Sequence, residues 1–589
     1  MLKLMRYMKA REWTFMGLVF LFVIVSVWCT LSLPDYMTKI TQLVETGGAM
    51  SEVWKNGAVM LAFALGDAIC TVVVGFCTAQ IAANFSKNLR KAIYDQVVGF
   101  SMEEINAFST SSLVTRSTND ITQIVMVISM GLQMLLRAPI IAIWAVFKIA
   151  DKGWQWILVT IIAVAVMMVT IGVILILVTP KFKSLQKLTD RMNLVTRENL
   201  TGVRVVRAYN AEHYQEVKFD EVNTKITKTH LFTGKSLAFL MPTMQLVMSM
   251  TSLCVYWIGA NIIMNQTDVM TKIDTFSKLV VFMAYAIQMI IAFMMVSMIF
   301  MFLPRAQVSA ARIEEVLQKS TKIADGAGVK EGSGKEKNGM VEFRNVSFRY
   351  PDAQEAVLRD ISFTAHPGDT VAFIGSTGSG KSTLINLVPR FFDVTEGEVL
   401  VDGANVKDYT LESLRQKIGY VSQKAILFKG TIASNVNYGE DAEEDVKEDK
   451  IIRALEVAQG RDIIEKQENG IYAEVAQGGT NFSGGQKQRI SIARAIYKDP
   501  EIFIFDDSFS ALDYKTDKKL RKELQTATDG ATTLIVAQRI GTVKDADQII
   551  VLDEGRMVGI GTHEELLKTC EVYQQIAYSQ LSEEELKHA

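Results

Sequence analysis

The sequence predicts a chain of two unlike parts, an α-helical membrane domain with six transmembrane helices followed by a soluble α/β domain built around a phosphate-binding loop. Two observations carry that expectation. Long apolar runs succeed one another up to about residue 305, and of the 28 methionines all but Met340 and Met557 lie before that point. From about residue 340 the composition is that of a soluble protein, and Gly375-Ser376-Thr377-Gly378-Ser379-Gly380-Lys381-Ser382-Thr383 fits G-x-x-x-x-G-K-[ST]. A length of 589 residues leaves room for both parts.

The first apolar run, Trp13–Leu33, follows a basic start in which Lys3, Arg6, Lys9 and Arg11 stand. At about 20 residues it exceeds a signal-peptide core, and no small-residue cleavage site follows, so it reads as a first span. Further spans are expected over 57–82, 122–147, 154–178, 237–264 and 276–303. Positive charge orients them. Segment 179–235 carries eleven Lys and Arg residues, and segment 83–120 holds Lys87, Arg90, Lys91 and Arg116, so both are expected inside with the two termini. Both segments are helix-patterned and continue the spans into the cytoplasm, with amphipathic patches at Phe100–Phe108 and Ala208–His213.

Within the apolar part, Asp67 and Arg137 are costly to bury, which makes them either functional or an internal ion pair. Met241, Met244 and Met248, and again Met294, Met298 and Met301, recur at helical spacing. Such stripes suit either an adaptable wall for hydrophobic cargo or plain helix packing. A net charge of −2 gives no basic field for nucleic acid. Cys29, Cys70, Cys77 and Cys254 lie in apolar runs and Cys570 stands alone, so neither a disulfide framework nor a zinc site is expected.

In the soluble part, the run Thr370–Ile374 reads as a buried strand and Leu384–Val388 as the start of a helix, the setting a phosphate loop needs. Glycines let successive N–H groups turn inward toward phosphate oxygens, and the helix N-terminus adds partial positive charge. Lys381 suits the β- and γ-phosphates and the Ser382 hydroxyl suits Mg²⁺. Upstream, Val341–Tyr350 alternates like a strand and ends in an aromatic ring able to stack or to pack. Downstream, Gly419–Gln423 is a strand ending in an amide, which suits Mg²⁺ or an attacking water. Ser483-Gly484-Gly485-Gln486 opens a helix. Ile502–Asp507 is a strand ending in two carboxylates, the first placed for Mg²⁺. Ser510–Asp513 follows, and Leu534–Arg539 is a last strand running into Gln538.

In this order the motifs resemble those of the ATP-binding cassette (ABC) exporters, and the chain resembles a half-transporter of that family along essentially its whole length. The resemblance implies a six-helix ABC exporter type membrane domain over 1–320, a linker over 321–339 and an α/β P-loop nucleotide-binding domain over 340–589. It implies ATP and Mg²⁺ as cofactors. Tyr350 would stack on adenine, and Gly375, Ser376, Thr377, Gly378, Ser379, Gly380, Lys381, Ser382 and Thr383 would hold the phosphates. Ser382, Gln423 and Asp506 would serve the metal. Ser483, Gly484, Gly485 and Gln486 are the family signature, which closes on the phosphate loop of a second chain. Asp513 is the D-loop residue. Glu103–Phe108 and Ala208–His213 resemble the two coupling helices.

Two positions depart from the family pattern. Asp507 stands where the family has the glutamate that activates water, and Gln538 where it has a histidine. One methylene fewer retracts the carboxylate by roughly 1.5 Å, and misplacement on that scale can cost ~10²-fold. Glutamine neither carries a proton nor becomes cationic. With Gln423, these are the candidate catalytic residues, and hydrolysis at this chain's own site is expected to be slow. The pattern resembles the degenerate-site subunit of bacterial heterodimeric multidrug-type exporters. It implies a non-identical partner half-transporter that carries the glutamate and the histidine and uses this chain's intact signature. The expected activity is ATP-driven export of small hydrophobic or amphipathic compounds across the cell membrane. The rivals are a nucleotide-gated channel or regulatory subunit, and an importer on the same scaffold. His563 is tempting as a substitute histidine, but Thr562 and Glu565 form a capping box around it, which favours helix initiation. The acidic stretch Ser582–Leu586 is expected to be a solvated tail.

Overall fold

The computed structural model describes residues 2–150, 153–329, 339–439 and 447–580. The acidic stretch Ser582–Leu586, residues 330–338 of the expected linker and the side chain of Met301 lie outside the described residues. The chain forms two compact units, Met1–Val98 with Thr110–Lys319, and Gly99–Ser109 with Ser320–Ala589.

The first unit is all helix: α1 (Ala10–Glu45), α2 (Met50–Val98), then, beyond a short helix α3 (Met102–Phe108) that belongs to the second unit, α4 (Thr110–Ser117), α5 (Asn119–Met126), α6 (Leu132–Ile149), α7 (Trp154–Thr201), α8 (Val203–Ala208), α9 (Glu212–Ala238), α10 (Leu240–Met264) and α11 (Val269–Gln318). Among the described residues there are six helical stretches long and apolar enough to cross a membrane, in agreement with the predicted count. Packing follows one stripe of each helix. In α1 the residues Val19, Val23, Val27 and Leu31 are buried at intervals of one helical turn, whereas Phe20, Leu21 and Trp28 are exposed. Large apolar side chains on the open faces of α1, α2 and α7 are exposed and are suited to lipid. Close approach also uses small residues: a Cβ on Gly259 of α10 would lie 1.9 Å from Leu279 Cδ1 of α11.

The expected second amphipathic patch differs in detail. Tyr209–Ala211 is a turn between α8 and α9, not a helix, because Asn210 takes a positive φ of 49° and Ala211 N–H closes onto Val206 O at 2.9 Å. The short helix here is α8, which ends at Ala208.

The second unit holds two main sheets. β1 (Val341–Phe348), β2 (Leu358–Ala365), β4 (Glu396–Val401) and β5 (Ala404–Asn405) form an antiparallel sheet in the order β2-β1-β4-β5. β3 (Thr370–Gly375), β6 (Ile418–Val421), β9 (Ile502–Asp506), β10 (Thr532–Val536), β11 (Gln548–Asp553) and β12 (Arg556–Gly561) form the other in the order β12-β11-β3-β10-β9-β6. The short pair β7 (Gly430–Thr431) and β8 (Glu474–Val475) stands apart. In the six-stranded sheet all neighbours are parallel except β12 on β11. Its inner strands are largely apolar because both faces are covered. Val371 and Phe373 enter one core and Ala372 and Ile374 the other, and Ile502, Ile504 and Phe503, Phe505 divide likewise.

The stretch after α11 is held firmly within the second unit. Arg390 Nη1 donates to Ala324 O at 2.9 Å, Leu411 N–H to Asp325 Oδ1 at 2.7 Å, and Gly326 N–H to Tyr409 O at 2.9 Å. Helix α3 joins the same unit through Glu104, which is fully buried. That carboxylate accepts from Ser101 N–H at 2.9 Å and from Lys322 N–H at 3.4 Å, while Glu103 pairs with Lys322 Nζ at 2.5 Å.

Candidate nucleotide site

Four of the parallel strands deliver the site. β3 ends at Gly375, β9 at Asp506, β10 two residues before Gln538 and β6 two residues before Gln423, so the predicted residues gather at the carboxyl ends of one sheet. Gly375 takes a φ of +152°, and a Cβ there would stand 2.0 Å from Leu552 O, so only glycine fits. Gly380 takes a φ of +96° and opens the helix Lys381–Ile385. Ser376, Thr377 and Gly378 face solvent, leaving the mouth of the loop open.

Lys381 is 7% exposed and folds back into the loop. Its Nζ donates to Gly375 O at 2.8 Å, Ser376 O at 2.7 Å and Ser379 Oγ at 3.3 Å. Burial draws its ammonium below the usual lysine range, with Asp507 and Asp506 pulling the other way. Ser382 Oγ donates to Asp506 Oδ1 at 2.7 Å. Burial pushes the Asp506 carboxyl above the usual range and Asp507 adds to this, while the Ser382 bond and Lys381 oppose it. Both charges are therefore held at a cost that a phosphate and a divalent cation would relieve. The oxygen pair Ser382–Asp506 has the hard-donor chemistry of a Mg²⁺ site completed by phosphates and water. Among the described residues no cluster of three or more His, Cys, Asp or Glu offers an all-protein metal site.

Asp507 sits in the left-handed region at φ 45°, with its N–H on Val536 O at 3.0 Å. Its Oδ2 accepts from two amides, Gln538 Nε2 at 3.2 Å and Gln423 Nε2 at 3.4 Å. All three candidate catalytic residues thus meet at one oxygen. Tyr350 lies beside the loop: its hydroxyl shares a 3.0 Å hydrogen bond with Thr383 Oγ1, and its ring meets Phe348 and Phe392 edge-on.

Ser483 and Gln486 stand elsewhere on the same unit as a reciprocal helix cap, Ser483 N–H to Gln486 Oε1 at 2.8 Å and Gln486 N–H to Ser483 Oγ at 3.3 Å. Ser483 and Gly484 are exposed and Gly485 half-buried, so this helix start is open to a ligand. Asp513 caps the helix Tyr514–Ala527, accepting from Thr516 N–H at 3.0 Å, a bond that holds its carboxyl below the usual range. His563 is buried, its Nδ1 2.6 Å from Tyr573 Oη, within the capped helix His563–Thr569.

In the membrane unit Asp67 and Arg137 do find each other, Arg137 Nη2 lying 3.6 Å from Asp67 Oδ1. Met244 is buried with Met167 in a cluster against which Met248 and Met294 pack, so the two stripes touch there, while Met241 is exposed. A second polar group escaped sequence reasoning. Asp35 of α1 takes Lys148 Nζ of α6 at 2.5 Å and the hydroxyl of fully buried Tyr285 of α11 at 2.7 Å. Asp35 and Lys148 lie at the ends of apolar runs, where a charge looks ordinary, and Tyr285 lies within one. Glu104 was legible, since Ser101-x-x-Glu104 is a capping-box pattern.

A phosphate loop and its carboxylates at the end of a parallel sheet, on a chain with six membrane-crossing helices, define an ATPase-coupled transmembrane translocase. The ABC transporter transmembrane region matches over residues 16–293 and the ABC transporter domain over 358–510. An uncharacterised ABC transporter ATP-binding protein of Mycobacterium tuberculosis is 37% identical over 560 residues, covering 95% of this chain and 94% of its own. The ABC transporter ATP-binding protein YfiB of Bacillus subtilis is 34% identical, covering 91% of both chains. The ATP-dependent lipid A-core flippase of Pseudomonas aeruginosa is 30% identical, covering 84% of this chain and 79% of its own. A bacterial Atm1-family ABC exporter solved with ATP bound shares the fold, with a TM-score of 0.78 at 24% identity over 96% of this chain and 98% of that one. The chain belongs to the ABC transporter family, and it is a multi-pass, ATP-binding membrane protein.

Proposed function

We propose that this chain is the degenerate-site subunit of a heterodimeric exporter that moves hydrophobic or amphipathic compounds. The observation that carries the reading is the doubly held Asp507, whose Oδ2 is occupied by the Gln538 and Gln423 amides. A carboxylate one methylene short, and already engaged by two donors, is a poor base for water. Lys381, Ser382, Asp506 and the glycine loop retain what binding Mg²⁺ and ATP requires, with Tyr350 on the adenine. Nucleotide is therefore held longer than it is split. Ser483, Gly484, Gly485 and Gln486 serve the phosphates of a non-identical partner that supplies the glutamate and histidine. The basic segments favour a cytoplasmic position for the termini and the nucleotide-binding domain. The names of the flippase relatives favour lipid-like cargo over small hydrophilic solutes.

The test is ATP turnover by the full chain alone and with the half-transporter purified alongside it. Slow turnover alone and brisk turnover in the pair, lost when the partner's glutamate becomes glutamine, is the expected result. Brisk turnover by two copies of this chain would overturn the reading. Cargo movement against a gradient in vesicles separates a pump from a nucleotide-gated channel.

A further inference from the structure

The ion pair inside the membrane unit is left unfinished by its own chain. Arg137 carries five N–H donors. Its Nη2 lies 3.6 Å from Asp67 Oδ1 and 3.4 Å from Thr30 Oγ1, both long contacts. Its Nε is buried and has no partner among the described residues. Asp67 is engaged on one oxygen only: Oδ1 takes the Ser26 hydroxyl as well as the guanidinium, and no contact to Oδ2 is found among the described residues. Neither side chain is sealed, at 24% exposure for Arg137 and 28% for Asp67. A pair that served only as a staple would close on itself, because a donor left unpaired in a low-dielectric setting loses its hydration with nothing in return.

The pair also sits deep. Ser26 lies roughly 24 Å along α1 from Ala10 and Asp67 roughly 26 Å along α2 from Met50, at about 1.5 Å per residue. The helices that carry it are interrupted nearby. Pro34 in α1 cannot donate to the carbonyl of Thr30, the residue touching Arg137, and Pro139 in α6 cannot donate to that of Leu135. A π-turn, Val127–Gly131, precedes α6. Irregular backbone at membrane depth is tolerated where it borders a polar cavity.

We infer that Asp67 and Arg137, with Ser26 and Thr30, form a mid-membrane binding site for a zwitterionic headgroup, a phosphate seated on the guanidinium fork and its ammonium on the open carboxylate oxygen. The fork formed by Nη1, which is not among the buried unpartnered atoms, and Nη2, whose contacts are long, matches two phosphate oxygens. Asp67 and Arg137 are neutral as a pair, and a headgroup of zero net charge preserves that balance. A lone anion would instead repel Asp67, and an uncharged amphiphile would leave the spare guanidinium donors and the second carboxylate oxygen unmatched. This names the cargo class of the translocase proposed above and rests on that reading.

The experiment uses the full chain in detergent and native mass spectrometry to count bound lipid, without ATP. The probes share two eight-carbon acyl chains: phosphatidylethanolamine, phosphatidate and diacylglycerol. Wild type is expected to bind phosphatidylethanolamine about tenfold or more tighter than diacylglycerol. Arg137→Gln should lose that preference for both phosphate-bearing lipids, with diacylglycerol unchanged. Asp67→Asn should reverse the order, so that phosphatidate binds better than phosphatidylethanolamine. Arg137→Lys, which keeps the charge and loses the fork, should fall between, and it provides the readout if the glutamine variant does not fold. Equal binding of the three lipids by wild type, or an equal loss of all three in the variants, would overturn the inference. Because ATP is absent, that outcome leaves the degenerate-site reading standing, and brisk ATP turnover by the lone chain would leave the headgroup site standing.

Discussion

Restoring the two family residues, Asp507→Glu with Gln538→His, gives the sharpest test of the nucleotide site. In the wild-type chain the Asp507 oxygen is held by amides at 3.2 and 3.4 Å. Both glutamines are exposed, so water competes for each bond and its net contribution is that of an ordinary hydrogen bond, about 1 kcal/mol. Drawing the carboxylate onto water thus costs about 2 kcal/mol, roughly a 30-fold penalty in rate, before any misplacement is counted. The extra methylene recovers roughly 1.5 Å of reach, for which ~10² is a fair scale. Glutamate alone still meets the Gln538 donor and should gain only about tenfold, while histidine alone should gain a few-fold, since no base reaches the water. Together they should gain ~10³ or more, a product larger than the singles predict because the two side chains touch. The assay is phosphate release by the full chain in lipid nanodiscs at saturating Mg²⁺ and ATP. If Asp507→Glu alone matches the double variant, the amide contacts do not restrain the carboxylate and the reasoning fails.

Three further outcomes are expected. Mg²⁺ must displace the proton from Asp506, whose pKa is raised chiefly by burial, so Mg²⁺ affinity should fall as pH drops through a midpoint above the ordinary aspartate value of about 4. For stability the sign is opposite: a raised carboxyl pKa favours the fold below its unfolded value, and that contribution is lost as pH rises through the folded one, so the nucleotide-free chain should gain more melting temperature from Mg²⁺ and ATP at pH 8 than at pH 5. His563→Ala should cost about 1–3 kcal/mol in denaturant unfolding of the nucleotide-binding part through loss of the buried bond to Tyr573, with ATP turnover of the paired transporter unchanged; a turnover loss without a stability loss would make it catalytic. Gly375→Ala should abolish ATP binding, read by nucleotide fluorescence, because its Cβ would stand 2.0 Å from Leu552 O and the loop has to move.

The strands and the phosphate loop were legible because local signals agree: an apolar run of strand length, glycines where φ turns positive, then helix formers. The six spans were legible from length and hydropathy alone, and α2, α7 and α11, at 49, 48 and 50 residues, are each longer than a span needs. What could not be read was contact at long range. Gln423 and Gln538 meet Asp507 across sequence separations of 84 and 31 residues, and only the sheet order puts them side by side. Nor did the methionine stripes reveal their partners, since periodicity gives a face and not what covers it. The Gly-rich composition after α11 suggests slack chain, yet Ala324–Gly328 is tied down by bonds from Arg390, Leu411 and the Asp408–Tyr409 carbonyls, none of which has a local signature.

The anchoring of Glu104 to Thr321 and Lys322 bears on how such transporters can be recombined. The helix it sits on is encoded 217 positions upstream of Thr321, in the midst of the membrane spans, yet it is folded with the C-terminal half. A chimera that exchanges the C-terminal half for a relative's at one splice near residue 340 would keep the native Ser101–Glu104 turn and its Thr321–Lys322 counterpart together, whereas a splice between residues 110 and 319 would separate them and strand a buried carboxylate. Where a breeder of hybrid pumps cuts the gene therefore decides whether that joint is inherited whole.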